Sequence, residues 1–159
     1  LVRRIRTIMP EAALRTTVIV GFPGETEDDF QQLQDFIEAV PFDHLGVFTY
    51  SDAEDLVSHR LPDHVPPAIA QQRRDTLMDR QKAVSESLNQ KYLGSTVDVL
   101  LEEAPETGLF IGRTMFQAPE VDGLTYVHTQ ASHPSIAVGQ FVRTRITDTL
   151  EYDLVGEPE

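Results

Sequence analysis

The part of this chain that most restricts its fold lies between residues 14 and 50. Residues 14–20 (LRTTVIV) form a β-branched run without polar alternation, the pattern of a strand covered on both faces in a parallel sheet. Gly21-Phe22-Pro23-Gly24 ends the run, and Phe30, Leu33, Phe36, Ile37 and Val40 then recur at helical spacing. Thr26 and Asp29 stand at capping-box spacing ahead of that helix. Pro41 stops it, and residues 44–50 (HLGVFTY) read as a second strand. Strand, helix and strand this close together predict a βαβ unit with parallel strands and a right-handed crossover.

The remainder divides by texture. Residues 51–65 are polar, acidic and aperiodic, a long loop at the end of a parallel strand, where loops are often functional. Pro66 and Pro67 can open a helix, Ala70, Leu77, Val84 and Leu88 mark its buried face as far as Tyr92, and Gly94 closes it. Beyond Gly94 short alternating strands follow one another: Val97, Val99 and Leu101 alternate with polar neighbours, Asp122-Gly123 reads as a hairpin turn, and FVRTRI alternates again. About five strands there suit a small OB-like barrel. The expected organisation is residues 1–90 as an α/β unit and residues 91–159 as an all-β domain. At the other end, Arg3, Arg4 and Arg6 among Ile5, Ile8 and Met9 look like the last turns of a helix, and the chain is expected to be part of a longer protein.

The formal charge of −13 disfavours phosphate backbones and favours basic partners. Its distribution is uneven: residues 94–159 hold eleven Asp or Glu against three Arg and no Lys. No apolar run is long enough to span a bilayer and no signal-peptide pattern is present, so a cytoplasmic protein without membrane contact is expected. The chain has no cysteine, hence no disulfide, no thiolate nucleophile and no thiolate ligand for a cluster.

The segment IVGFPGETEDDF begins like a phosphate-binding loop and then departs from one. A phosphate cradle needs glycine N–H groups and usually a lysine at the helix start, whereas Glu25, Glu27, Asp28 and Asp29 occupy this start. These carboxylates complement the positive helix end and repel a phosphate. A strand-to-helix turn, with glycine for conformational freedom and proline for rigidity, accounts for the segment. Residues 21–25 and 49–51 nonetheless fall at the carboxyl ends of successive parallel strands, where α/β proteins bind ligands.

LRTTVIVGFPGETEDDF, HLGVFTYSDAED, LPDHVP, GRTMFQAPEVDG and RITDTLEYDLVGE together resemble the radical S-adenosylmethionine methylthiotransferases, most closely their RimO type, over essentially the whole chain. GFPGET is common to many radical SAM enzymes, while APEVDG ahead of YDLVGE is more particular. The resemblance implies the end of a partial (βα) barrel of radical SAM type followed by a small OB-like TRAM barrel. It also implies a reaction in which a [4Fe-4S] cluster held by a CxxxCxxC motif reduces S-adenosylmethionine to a 5′-deoxyadenosyl radical, with sulfur from a second cluster, to methylthiolate an aspartate of the twelfth small-subunit ribosomal protein. The cluster cysteines are not in this chain, which is therefore expected to be inactive alone. By the same resemblance Ile19, Gly21, Pro23 and Gly24, with Phe48, Thr49 and Tyr50 of the next strand end, brace the adenosyl part of the cofactor. Glu25 caps or positions, and no catalytic residue is assigned here.

TRAM domains of tRNA-modifying relatives grip RNA, which takes Lys and Arg. The acidic domain here suits a basic ribosomal protein better, and nucleic acid is not expected as its direct substrate. Arg113, Phe116, Glu120 and Asp122, in the irregular segment between strands, are the candidate contacts. A tRNA methylthiotransferase, or an acidic protein-binding module without catalysis, are the alternatives. No metal site is expected: His128 with His133, and His59 with His64, lack a third ligand at a recognisable spacing. Asp52, Glu54, Asp55 and Asp63 read as a solvated loop or the entrance for a basic substrate.

Overall fold

The computed structural model describes residues 1–129 and 136–159. The chain folds as two compact units, Leu1–Val84 and Ser85–Glu159.

In the first unit, helix α1 (Val2–Ile8) precedes strand β1 (Arg15–Val20), helix α2 (Glu27–Ala39), strand β2 (His44–Thr49) and most of helix α3 (Pro67–Asn89). β1 and β2 pair in parallel, with Ile19 opposite Phe48 and Val20 opposite Thr49. The capping box legible in the sequence is present: Asp29 N donates to Thr26 Oγ1 at 3.1 Å and Thr26 N to Asp29 Oδ2 at 2.9 Å. Thr26 Oγ1 also donates to Asp29 Oδ2 at 2.6 Å, and this bond first, then that from Thr26 N, holds the Asp29 carboxyl below its ordinary pKa. Arg6 ties α1 to the sheet, donating to Ala12 O at 2.6 Å and to Asp43 Oδ2 at 2.8 Å, while Asp43 Oδ2 also accepts Leu14 N at 2.7 Å.

Two expectations need correction here. The sheet is covered on one face, not both: Val20, Leu45 and Val47 pack with Phe30 and Ile37 of α2 and Leu77 of α3. On the other face Ile19 is 58% and Phe48 60% exposed. Among the described residues both helices pack on the same side, so a β-branched run signalled burial that this chain does not itself provide. The buried stripe of α3 also differs. Ala70 and Leu77 are buried as expected, but Arg73, Gln81 and Ser85 take the intervening positions, and Val84 and Leu88 are only half-buried. Two of these polar side chains find partners there: Gln81 Nε2 donates to Phe42 O at 2.9 Å, and Arg73 pairs with Glu25.

The second unit is a closed barrel of five strands: β3 (Thr96–Glu106), β4 (Leu109–Thr114), β5 (Thr125–His128), β6 (Phe141–Thr149) and β7 (Leu154–Pro158). Their order around the barrel is β3-β4-β5-β7-β6, all neighbours antiparallel except β5 and β7. Closure leaves the barrel no free edge. Val99, Leu101 and Val127 form its core. Asp122-Gly123 does not make a two-residue hairpin, because β4 ends at Thr114 and β5 begins at Thr125. Gly123 is required for another reason: a Cβ there would lie 1.8 Å from Tyr152 O. The buried Gln117 closes this connection, its Oε1 accepting Thr114 N at 2.9 Å, Thr114 Oγ1 at 3.1 Å and Thr125 Oγ1 at 2.8 Å.

Candidate functional site

The ends of β1 and β2 are shaped by one turn. Glu25 N donates to Phe22 O at 2.9 Å, with Pro23 and Gly24 at the centre and Gly24 at φ +87°. That is a type II turn, in which proline presets the first central residue and glycine supplies the positive φ of the second. Gly21 also has a positive φ, +80°, and a Cβ there would sit 2.4 Å from Ala70 Cβ on α3. Gly21→Ala is thus expected to destabilise the first unit by roughly 2 kcal/mol, from backbone strain and overlap together, read as faster amide exchange of Val18 and Val20.

Glu25 locks the turn. Its Oε2 accepts Gly21 N at 2.7 Å and its Oε1 accepts Arg73 Nη1 at 2.6 Å. Arg73 lies 5.2 Å from the Phe30 ring centroid and reaches the exposed Glu27 with its other amino group. The Gly21 N–H, a backbone donor that a phosphate cradle would use, is occupied by the Glu25 carboxylate of the chain itself.

The residues assigned to the adenosyl part of a cofactor fall into three places. Ile19 and Phe48 lie side by side on the open face of the sheet, the Phe48 ring against Gly46. Pro23 and Gly24 make the turn. Gly21, Thr49 and Tyr50 line a cavity of about 360 Å³ together with Asp52, His64 and Ala70. The Tyr50 ring meets Phe22 edge-on, centroids 5.2 Å apart, and its hydroxyl lies 3.1 Å from Asp52 Oδ1 and 2.8 Å from Ser58 Oγ. Asp52 Oδ2 is 2.8 Å from His59 Nδ1. This bond above all holds the Asp52 carboxyl below its ordinary pKa. Among the four loop acids only Asp52 lines the cavity.

In the barrel, the four candidate contacts differ in what they do. Arg113 Nε donates to Glu102 Oε1 at 2.8 Å. Phe116 stacks flat on Tyr92, centroids 4.3 Å apart. Asp122 Oδ2 accepts Ala118 N at 2.8 Å and so shapes its own loop. Glu120 is exposed, in a left-handed conformation at φ 63°. Exposed Met115 and Val121 flank them and were not singled out from sequence. The charge has a structure that counting does not reveal: Arg113 is paired with Glu102, and Arg143 lies 3.5 Å from Glu159. A cavity of about 380 Å³ is lined by Glu86, Glu151, Tyr152 and Asp153 among others. Among the described residues no group of three His, Cys, Asp or Glu could hold a metal ion; His133 lies outside them.

The TRAM domain family matches residues 93–158. The chain is 52% identical to the ribosomal protein uS12 methylthiotransferase RimO of Clostridioides difficile over 96% of its own length and 34% of that protein's. For the RimO proteins of Microcystis aeruginosa and Thermus thermophilus the identities are 51% and 47%, over 99% and 95% of this chain and 35% and 34% of theirs. Along nearly its whole length the chain is similar to RimO proteins. It corresponds to a C-terminal part of RimO proteins and spans about a third of their length. Among solved structures, the Dss1 exoribonuclease active-site mutant from Candida glabrata aligns with a TM-score of 0.37 and 16% identity over 80% of this chain and 15% of that one, too distant to carry an argument.

The TRAM match falls on the closed barrel and stops short of the first unit. Arg73, which holds the turn, was not legible as part of the site, since a lone arginine in a helix carries no signal until the carboxylate it meets, 48 residues away, is known. The described residues contain no helix long and apolar enough to cross a membrane.

Proposed function

We propose that this chain is the C-terminal part of a radical S-adenosylmethionine methylthiotransferase, contributing one wall of the cofactor site and the domain that docks a basic ribosomal protein, uS12. Residues 1–90 are the end of the radical SAM barrel and residues 91–159 the TRAM domain. The observation that carries this reading is the identity of about half of all residues with RimO proteins along nearly the whole chain. The open sheet face supports the barrel part, because a two-stranded parallel sheet with exposed Ile19 and Phe48 is not a stable endpoint and further strands would cover it.

The residues present fit the adenosyl portion of S-adenosylmethionine. Ile19 and Phe48 offer an apolar surface, and Gly21 lets backbone and helix approach closely beside the cavity that Thr49 and Tyr50 line. When bound, the cofactor supplies the radical that removes hydrogen from the target carbon. This chain's own part is to bind and orient. Its residues do not fit an iron–sulfur cluster, since the chain has no cysteine, so the clusters' ligands belong to other parts of the protein and the chain alone is inactive.

On the partner side, two of the barrel's three arginines are already paired to barrel carboxylates, and the acidic surplus faces solvent. Such a surface attracts a basic protein and repels a phosphate backbone. The test is binding of the 159-residue chain to purified uS12 and, separately, to unmodified tRNA at low and moderate salt. Binding to uS12 that weakens with salt is the expected result; binding to tRNA alone would overturn the docking assignment.

A further inference from the structure

We propose that Asp52 is a positioning residue that clasps the loop following β2 across the cavity at the strand ends, linking Tyr50 on one side to His59 on the other. Both carboxylate oxygens are engaged: Oδ1 lies 3.1 Å from the Tyr50 hydroxyl and Oδ2 2.8 Å from His59 Nδ1. The Tyr50 hydroxyl is also 2.8 Å from Ser58 Oγ. A hydroxyl has one proton, so Tyr50 donates to the carboxylate and accepts from Ser58. Ser58 and His59 are neighbours on the single helical turn Val57–Arg60. The bonds thus close a ring from the end of β2, through Asp52, to that turn and back.

The loop's far end is fastened as well. Gly24 N donates to Asp63 O at 2.9 Å, and His64 Nε2 lies 3.2 Å from His59 O. Tyr50, Asp52 and His64 all line the cavity of about 360 Å³. A loop of this length without regular structure is ordinarily mobile; here it is tied to the end of β2 at one end and to the glycine turn at the other. The consequence is a strap whose closed position is set by one carboxylate, which also fixes the hydroxyl of Tyr50. The clasp itself stands on these contacts; only what the strap shelters rests on the cofactor reading above.

The bond to Asp52 dictates which nitrogen of His59 carries the proton. To donate to a carboxylate, the neutral ring must be in the Nδ1–H form, whereas an unconstrained neutral imidazole favours Nε2–H. The test uses the 159-residue chain, 15N-labelled, at about pH 9 where imidazole is neutral, reading the His59 tautomer from long-range 15N–1H correlations. Amide exchange of Leu56, His59 and Leu61, whose N–H groups bond within the loop, is followed in parallel. The expected result is Nδ1–H in the natural chain. In Asp52→Ala the Nε2–H form should return and those amides should exchange about tenfold faster, with Val18 and Val20 unchanged. An Nε2–H tautomer in the natural chain, or unchanged loop exchange in Asp52→Ala, would overturn the clasp. Should Asp52→Ala also expose Val18 and Val20, the tautomer in the natural chain decides by itself. Neither readout involves a cofactor or uS12, so failure here is separate from failure of the proposed function.

Discussion

Arg73→Met is expected to destabilise the first unit by about 4 kcal/mol, because it removes one partner of a nearly buried ion pair and leaves the other charge behind. The Arg73 side chain is 8% exposed and that of Glu25 13%. After the change Glu25 keeps only the Gly21 N–H, and Phe30 loses the cation beside its ring. Glu27 makes a fitting control. Its side chain is 78% exposed, so Glu27→Gln should shift stability by no more than about 0.5 kcal/mol. Amide exchange of β1 reads the first unit and that of β6 the second, so the loss should appear in β1 alone. A change below about 1 kcal/mol for Arg73→Met would mean that the turn holds without its arginine.

Gln117→Leu should cost the barrel about 3 kcal/mol by a different route. Leucine fills much the same volume, so packing is nearly conserved, but one acceptor disappears from a site holding three donors. Thr114 N, Thr114 Oγ1 and Thr125 Oγ1 all point at Gln117 Oε1, and all three residues are almost fully buried. The two hydroxyls can turn to other acceptors, whereas the amide of Thr114 cannot. Gln117→Glu retains the acceptor and separates the hydrogen-bond loss from the change in shape. Urea unfolding followed at the amides of β4 and β5 measures both variants, and equal stability of Gln117→Leu and the natural barrel would remove Gln117 from any account of how the segment between β4 and β5 is held.

The elements legible in the sequence were those built from local pattern. The cap at Thr26 and Asp29, the amphipathic α2, the two parallel strands and a five-stranded barrel all follow from spacing within a few residues of each other. What escaped was polar and distant in sequence. Arg73 and Gln81 on the buried side of α3 interrupt the apolar stripe that a helical period predicts, and their partners lie 48 and 39 residues away. Asp122-Gly123 looked like a hairpin turn because the pair is common there. The actual constraint on Gly123 is the backbone of Tyr152, 29 positions later. The open face of the sheet escaped for another reason: composition records that a strand expects cover, not whether the cover is in the same stretch of chain.

The staple at Glu25 bears on the cost of association. A backbone turn fixed by proline, by a glycine that no other residue replaces without strain, and by a carboxylate bonded to both Gly21 and Arg73 surrendered its conformational entropy when the unit folded. A ligand settling against it has little loop ordering left to pay for. For the cofactor proposed above, substitutions that loosen the staple are therefore expected to weaken binding from a distance, by restoring an ordering cost, without touching the ligand at all.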